Sequence, residues 1–163
     1  MVSAEWRALP GYEGIYEISD HGEVKSRDRI NARGWRIKGR TLRPYVTPDG
    51  YQRVNLYSAI GAKHNTSVHQ LVMLAFVGPC PPGQEVLHRD GNGENNYRSN
   101  LSYGTRSENV RDSVRHGTHT CAAKTHCKRG HEFTEANTFR KSSGSRECRA
   151  CRAVRAEMRR AAA

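Results

Sequence analysis

The spacing of cysteine and histidine near the C-terminus constrains the fold of this chain more than any other feature. In the segment CKRGHEFTEANTFRKSSGSRECRAC, three residues separate Cys127 from His131, and two separate Cys148 from Cys151. Two ligand pairs at turn spacing, joined by a hairpin-length stretch, are what a closed tetrahedral Zn²⁺ site requires. The segment has few apolar residues, so we do not expect it to fold without metal. Three free thiols and a surface histidine are the weaker alternative.

The other cysteines and the N-terminus bear on the cellular compartment. The chain has five cysteines, and an odd number fits poorly with a closed disulfide framework. The N-terminal stretch MVSAEWRALPGYEG has no apolar signal core, and no run in the chain reaches the ~18 apolar residues of a spanning helix. We therefore expect a soluble protein without a membrane partner, which stays in the compartment where it is made.

Charge and composition narrow the class of partner. Of the 163 residues, 27 are lysine or arginine and 16 are acidic, which gives a formal net charge of +11. Such an excess favours a polyanionic partner, and nucleic acid is the commonest one. Hydrophobic residues make up only 36% of the chain, so a large core is not expected. Small units with additional staples are predicted instead.

The N-terminal half predicts short strands followed by one buried helix. The run GIYEISDHGEVKSRDR has β-prone residues on both sides of a turn, and residues 48–50 (Pro-Asp-Gly) separate two further β-prone runs. The stretch SVHQLVMLAFVG has apolar residues at the spacing of a buried helix. The following GPCPPG cannot continue that helix.

A stretch rich in asparagine and glycine, residues 86–109, predicts a strand, a loop, a strand and a helix. Residues 84–88 and 101–104 are the β-prone runs, and the turn residues of 90–93 lie between them. Thr105 and Glu108 form the pattern of a capping box, which places a helix start at this point. Gly117 is suited to end that helix. Beyond it the composition shifts to Cys, His, Lys and Arg, so a domain boundary is expected near 118–126.

This unit contains the parts of a phosphodiesterase site. His88 ends the first strand and Asn109 lies in the first helical turn, so both are expected in the groove between hairpin and helix. A neutral imidazole can take a proton from water, and an amide oxygen is a reasonable Mg²⁺ ligand. Asn100 can hydrogen-bond across the loop. Composition alone leaves the plainer alternative open, with His88 on the surface and the asparagines as turn formers.

A family resemblance favours the first interpretation. The stretch LHRDGNGENNYRSNLSYGTRSEN resembles the HNH nuclease motif in the form carried by phage HNH homing endonucleases. EWRALPGYEGIYEISDHGEVKS resembles the modular motif that often precedes it, and VHQLVMLAF the helix just upstream of the hairpin. The resemblance covers about residues 5–117. It implies a ββα-metal site with His88 as general base, Asn100 as a structural residue and Asn109 as a ligand of Mg²⁺ or Mn²⁺.

The chain departs from this family at one position. Homing enzymes typically have a metal-binding acid before the catalytic histidine, and this chain has Leu87. Asp112 and His116 share a helix face with Asn109 and could replace that ligand, of which Asp112 is the harder donor. A solvated helix carboxylate is the competing interpretation for Asp112. His69 is expected to be a capping or buried structural histidine, and the aspartate at position 90 is expected to shape the turn.

Basic side chains cluster in two regions on either side of the predicted nuclease unit. Those in the N-terminal region are Lys25, Arg27, Arg29, Arg36, Lys38, Arg40 and Arg43; those in the tail are Arg140, Lys141, Arg146, Arg149, Arg152, Arg155, Arg159 and Arg160. We interpret both regions as lacking compensating acids, which favours phosphate contacts on two sides of duplex DNA over ordinary solvated faces.

These features together predict an α+β protein of small irregular modules. Residues 1–60 are predicted as a β-rich DNA-binding module, 61–117 as the ββα-metal HNH nuclease, and 118–163 as a Cys₃His tail with a basic helix. The tail resembles the zinc-ribbon-like tails of some phage and actinobacterial HNH proteins. The predicted activity is metal-dependent cleavage of duplex DNA by a monomer, in the cytoplasm of a bacterial or phage-infected cell. A catalytically weak or inactive zinc-dependent DNA-binding protein is the alternative, and an RNA-binding protein is a weaker third possibility.

Overall fold

The computed structural model describes residues 3–31 and 34–162 and has α+β architecture. The chain divides into two compact units, Met1–His116 and Gly117–Ala163. Each unit contains antiparallel strand pairs and at least one helix, so the predicted fold class is confirmed. No helix in the described ranges is both long enough and apolar enough to cross a bilayer.

The N-terminal part of the first unit consists of short antiparallel strands. Their bounds are β1 (Trp6–Ala8), β2 (Tyr16–Ser19), β3 (Val24–Ser26), β4 (Arg29–Ile30), β5 (Arg36–Ile37), β6 (Tyr45–Val46), β7 (Gln52–Tyr57) and β8 (Lys63–Ser67). They form sheets in the orders β1-β2-β3, β4-β5 and β6-β7-β8. The predicted turn before β7 is present, and Gly50 adopts a φ of 83° there, which favours glycine.

The second half of this unit begins with a helix and continues as a hairpin and a second helix. The elements are α1 (Val68–Phe76), β9 (Gln84–His88), a 3₁₀ turn (Arg98–Asn100), β10 (Leu101–Thr105) and α2 (Arg106–Arg115). Strands β9 and β10 are antiparallel, with His88 opposite Leu101 and Gln84 opposite Thr105. The predicted capping box is present, because Thr105 and Glu108 each bond the other's backbone N–H. This arrangement is the predicted strand–loop–strand–helix unit.

One hydrophobic core connects the small sheets to α1 and the hairpin. Its buried residues are Leu9, Tyr16, Ile18, Val24, Val54, Leu56, Val68, Leu71, Val72, Met73 and Leu101. The core therefore takes residues from β2, β3, β7, α1 and β10, so residues on both sides of position 60 share it. Each such aliphatic side chain contributes about 1.5–3 kcal/mol by leaving water. Helix α1 is anchored between the sheets and the hairpin by these contacts.

The second unit is a small turn, a hairpin and a helix. Its regular elements are β11 (Thr138–Arg140), β12 (Arg146–Cys148) and α3 (Arg149–Ala161). The backbone N–H of Cys127 bonds the carbonyl of His131 at 2.9 Å, which closes a tight turn through Gly130. Cys148 is the N-cap of α3, and Cys151 lies in its first turn. The predicted basic helix is confirmed.

Candidate active site and metal centre

His88 ends strand β9 and is buried against the rest of the first unit. Because side chains alternate along a strand, His88 faces the same side of the hairpin as Leu101, toward α1. Its ring centroid lies 5.1 Å from that of His69 and 5.7 Å from that of Tyr51. Burial lowers the pKa of His88, although contacts with Asn96 and Asp90 oppose that effect. The neutral, basic form of the imidazole is therefore favoured.

Asn96 fixes which nitrogen of His88 is free to take a proton. The side-chain nitrogen of Asn96 donates to Gln52 Oε1 at 3.0 Å and to the Glu94 carbonyl at 3.1 Å. Its oxygen therefore points at His88 Nε2, 3.4 Å away, and can only accept. The Nε2 atom then carries the hydrogen, and Nδ1 is left as the basic atom. Asn96 is only 2% exposed and packs under Gly22, which has no room for a side chain.

His69 completes this buried cluster from the second residue of α1. It is 7% exposed, and its Nδ1 atom has no hydrogen-bond partner. Burial, together with the nearby charges of His88 and Arg53, lowers the pKa of His69 to about 4. His69 is thus the buried histidine predicted from the sequence, but it makes no cap hydrogen bond: Ser67 is the residue at the N-cap.

The asparagines of the loop hold its shape through one carboxylate. Asp90 accepts hydrogen bonds from the backbone of Asn92 at 2.9 Å and from the side chains of Asn100 at 2.9 Å and Asn95 at 2.6 Å. Asn100 also donates to the Asn95 carbonyl and accepts from the Asp90 backbone. Burial raises the pKa of Asp90, but these hydrogen bonds outweigh it and the net pKa is lowered. The turn-forming aspartate and the cross-loop asparagine have the contacts expected of them.

Asn109 lies on the other side of the hairpin. Its side-chain nitrogen donates to Glu85 Oε1 at 2.7 Å. Glu85 and His88 are three residues apart on one strand, so their side chains leave it on opposite faces. The His88 ring packs against His69 of α1, and Asn109 reaches Glu85 from α2. The prediction that His88 and Asn109 share the groove between hairpin and helix stays a prediction.

The position before His88 and the other predicted ligands are occupied by structural contacts. Leu87 is buried, and its side chain fills the space left by Gly104 on β10. The carboxylate of Asp112 pairs with Arg115 at 2.9 Å. The His116 ring lies against Gly91, so a side chain at residue 91 would collide with it. The last of these contacts attaches the end of α2 to the loop of the hairpin.

The four predicted tail ligands come together in the second unit. The ligand atoms of Cys127, His131, Cys148 and Cys151 all lie within 4.8 Å of one another. The Sγ atoms of Cys127 and Cys151 are 3.7 Å apart, and His131 Nδ1 lies 3.3–3.7 Å from the three sulfurs. Zinc at its usual bond lengths would give tetrahedral edges of about 3.8 Å between sulfurs and about 3.6 Å between sulfur and nitrogen. The cluster has these dimensions.

More of the basic side chains form ion pairs with acidic side chains than the sequence indicated. Glu17 binds both Lys25, at 2.9 Å, and Arg27, at 3.4 Å. Arg36 lies 3.9 Å from Asp28. In the tail, Lys141 pairs with a glutamate of β12 at 2.8 Å. The interpretation that both regions lack compensating acids was therefore wrong for these side chains.

Four residues near the site were not predicted from the sequence to be active-site neighbours. They are Tyr51, His69, Glu85 and Asn96. The doubled asparagine of the loop was a usable signal for Asn96. No sequence signal pointed to the other three, because only the packing of α1, β7 and α2 on the hairpin brings them close.

Comparison with known proteins agrees with this geometry. Residues 67–111 match the family model described as HNH endonuclease, and residues 5–57 match the NUMOD4 motif. The fold and the site therefore define an HNH-type module preceded by a NUMOD4 motif, and the predicted resemblance is confirmed. The chain is homologous to phage HNH homing endonucleases over this part of its length.

Two relatives and one solved structure show how similar the sequences are and how much of each chain is covered. DNA endonuclease I-HmuI of Bacillus phage SP01 is 39% identical over 116 residues, which are 70% of this chain and 60% of the relative. The SPbeta prophage-derived YosQ of Bacillus subtilis (strain 168) is 34% identical over 73 residues, 45% of this chain and 42% of that protein. The solved structure of I-HmuI, concerned with DNA binding and cleavage, matches with a TM-score of 0.57 and 36% identity, over 70% of this chain and 60% of that one. The chain thus spans about three fifths of I-HmuI.

Proposed function

We propose that this protein is a metal-dependent HNH endonuclease that hydrolyses phosphodiester bonds of duplex DNA. The observation that carries the proposal is the buried imidazole of His88 at the end of the ββα hairpin, with Asn96 directing its basic nitrogen. Homology to I-HmuI, which is named as a DNA endonuclease, supports the same activity.

His88 acts as the general base of the proposed reaction. Its Nδ1 atom takes a proton from the attacking water while Nε2 keeps its hydrogen bond to Asn96. The lowered pKa keeps the ring unprotonated near neutral pH, where it can accept that proton. Asn100 acts indirectly by holding the loop that carries the end of β9.

Asn109 would hold the catalytic cation through its amide oxygen on the α2 face of the hairpin. Bound Mg²⁺ or Mn²⁺ would stabilise the negative charge that develops on the phosphate. Water and phosphate would have to supply most of the other oxygens, because Mg²⁺ usually keeps several waters. The donor set on this face, an amide and a carboxylate, is suited to such a hard cation. Asp112, the predicted second ligand, would first have to leave Arg115.

The tail is proposed as a structural Zn²⁺ site of Cys127, His131, Cys148 and Cys151. A backbone N–H from the first turn of α3 lowers the pKa of the Cys148 thiol to about 6, whereas burial raises the pKa of Cys151 to about 11. Without metal, the cluster thus favours the thiolate at Cys148, and zinc would have to displace the proton of Cys151. The tetrahedral dimensions of the cluster support zinc over larger or octahedral ions. Residues 118–163 would then fold around the metal.

Both basic regions are proposed to contact DNA phosphates. In this proposal residues 1–60 form the DNA-binding module, residues 61–117 cut, and Arg149, Arg152 and Arg155 of the tail bind the backbone. Lys25 and Arg27 would exchange Glu17 for phosphate, at some cost in affinity. The protein would act as a monomer in the cytoplasm of a bacterial or phage-infected cell, where it meets DNA.

Incubation of supercoiled plasmid with the protein and Mg²⁺ or Mn²⁺ tests the proposal. We expect nicked or linear product with wild type and none with His88→Ala, whose DNA affinity should stay close to wild type because the ring acts mainly in the transition state. His64→Gln, at an exposed histidine of the same unit, is the matched control. Cleavage by His88→Ala at the wild-type rate would refute the assignment. Binding without cleavage by wild type would support the DNA-binding alternative.

A further inference from the structure

The α2 face of the hairpin contains an acid that could replace the one missing at Leu87. Three acidic residues lie in the strands and helix of this unit: Glu85 on β9 and Glu108 and Asp112 on α2. Glu108 is committed to the capping box, where it bonds the Thr105 backbone and hydroxyl. Asp112 is paired with Arg115 at 2.9 Å. Glu85 is the acid in contact with Asn109.

We propose that Glu85 supplies the carboxylate ligand of the catalytic cation, together with the amide oxygen of Asn109. The proposal rests on the nuclease function and adds to it the ligand that Leu87 does not provide. Glu85 stands two residues before Leu87, so both side chains leave β9 on the α2 face.

The contact between Glu85 and Asn109 has the dimensions of two neighbouring metal ligands. Glu85 Oε1 and the side-chain nitrogen of Asn109 are 2.7 Å apart. Rotating the amide by half a turn brings its oxygen to the same place. Adjacent oxygens around an octahedral Mg²⁺ at ~2.1 Å are about 3 Å apart, so only a small separation of the two side chains is needed.

The surroundings of Glu85 leave its carboxylate available. Its second oxygen lies 3.8 Å from Arg106, whose side chain is 85% exposed, so this ion pair is weak and easily displaced. The Glu85 side chain is 35% exposed, so a hydrated cation and a phosphate can reach it.

Paramagnetic Mn²⁺ provides a test that does not depend on cleavage. Mn²⁺ alone is titrated into ¹⁵N-labelled full-length protein, and the broadening of the Asn109 side-chain amide signals is followed. Broadening should centre on residues 85 and 109 in wild type. Glu85→Gln, which keeps the shape and an acceptor for Asn109, should raise the Mn²⁺ concentration at half-broadening at least about tenfold. Asp112→Asn tests the competing ligand and should leave that concentration unchanged, because Asp112 is paired with Arg115.

One further variant and a check on folding support the interpretation. Glu85→Asp keeps the charge but shortens the reach, and should fall between wild type and Glu85→Gln. The amide spectrum of each variant shows directly whether it has folded. Equal broadening in wild type and Glu85→Gln, or broadening that depends on Asp112 instead, would overturn the proposal. If Mn²⁺ binding depends on Glu85 but wild type cuts no DNA, the metal site stands and the nuclease function fails.

Discussion

Burial of His69 should make the first unit sensitive to mild acid. The pKa of His69 is lowered to about 4 from an ordinary value of 6.5, by burial first and then by the charges of His88 and Arg53. Above pH 6.5 the ring is neutral whether the chain is folded or unfolded, so it has no effect on the pH dependence. As the pH falls toward 4, the unfolded chain takes up a proton that the folded chain refuses, and stability is lost.

The size of this loss follows from the gap between the two pKa values. At ~1.4 kcal/mol for each pH unit, the complete loss is about 3 kcal/mol, reached at pH 4 and below. At pH 5 it is about 2 kcal/mol by the same linkage. For a domain of this size, 2 kcal/mol corresponds to a fall of roughly 1 M in the urea midpoint. His69→Phe keeps a ring against Tyr51 and His88 but removes both the titration and the unpaired nitrogen.

Urea unfolding of the full chain between pH 7 and 4.5 measures the effect. Both tryptophans, Trp6 and Trp35, belong to the first unit, so their fluorescence reports that unit without the tail. The free energy of unfolding of His69→Phe relative to wild type should rise by about 2 kcal/mol as the pH falls from 7 to 5. The other titrating groups are the same in both proteins, so their effects cancel in this difference. His64→Gln removes an exposed histidine of the same unit and is the control. Parallel curves for wild type and His69→Phe would refute a buried, neutral His69.

Three other predictions concern the base, the zinc and the charge. Asn96→Asp places a carboxylate at His88 Nε2 and should move the acidic limb of the cleavage pH profile upward by about one unit, as measured by initial rates. Cys148→Ser or a strong chelator should remove one Zn²⁺ per chain by elemental analysis and lower helical circular dichroism, without changing tryptophan fluorescence. Truncation after residue 120 should weaken DNA binding and flatten its dependence on salt, because Arg–phosphate contacts are lost.

The elements that the sequence predicted well are those with a strong local signal. The capping box at Thr105 and Glu108 defined the start of α2, and Gly117 marked its end, with a φ of 71°. Strand β8 was not predicted, because Lys63–Ser67 is polar and contains little apolar alternation. It forms because β7 offers it a full set of backbone partners, from Arg53 opposite Ser67 to Tyr57 opposite Lys63. Pairing of this kind cannot be read from one strand alone.

The motif named candidate residues for the site but not their contacts. His88, Asn100 and Asn109 were proposed from it, but the sequence did not show which side chains each of them contacts. The residues that touch them come from distant segments: Tyr51 follows a turn in the N-terminal half, and His69 begins α1. Local patterns identify which side chains can do chemistry, whereas long-range packing decides which of them meet.

In the proposed mechanism, the two faces of strand β9 serve two chemical needs. Residues 86 and 88 face the shared core, where burial keeps an imidazole neutral and Asn96 fixes its tautomer. Residues 85 and 87 face α2, where Glu85 remains partly exposed beside Asn109. A base benefits from a rigid, dry setting, whereas a hydrated cation needs access from solvent. A slip of one residue in the hairpin register would exchange the two faces of β9. The capping box and the Asp90 network fix this register at the two ends of the hairpin. They are therefore as necessary to the site as the side chains themselves.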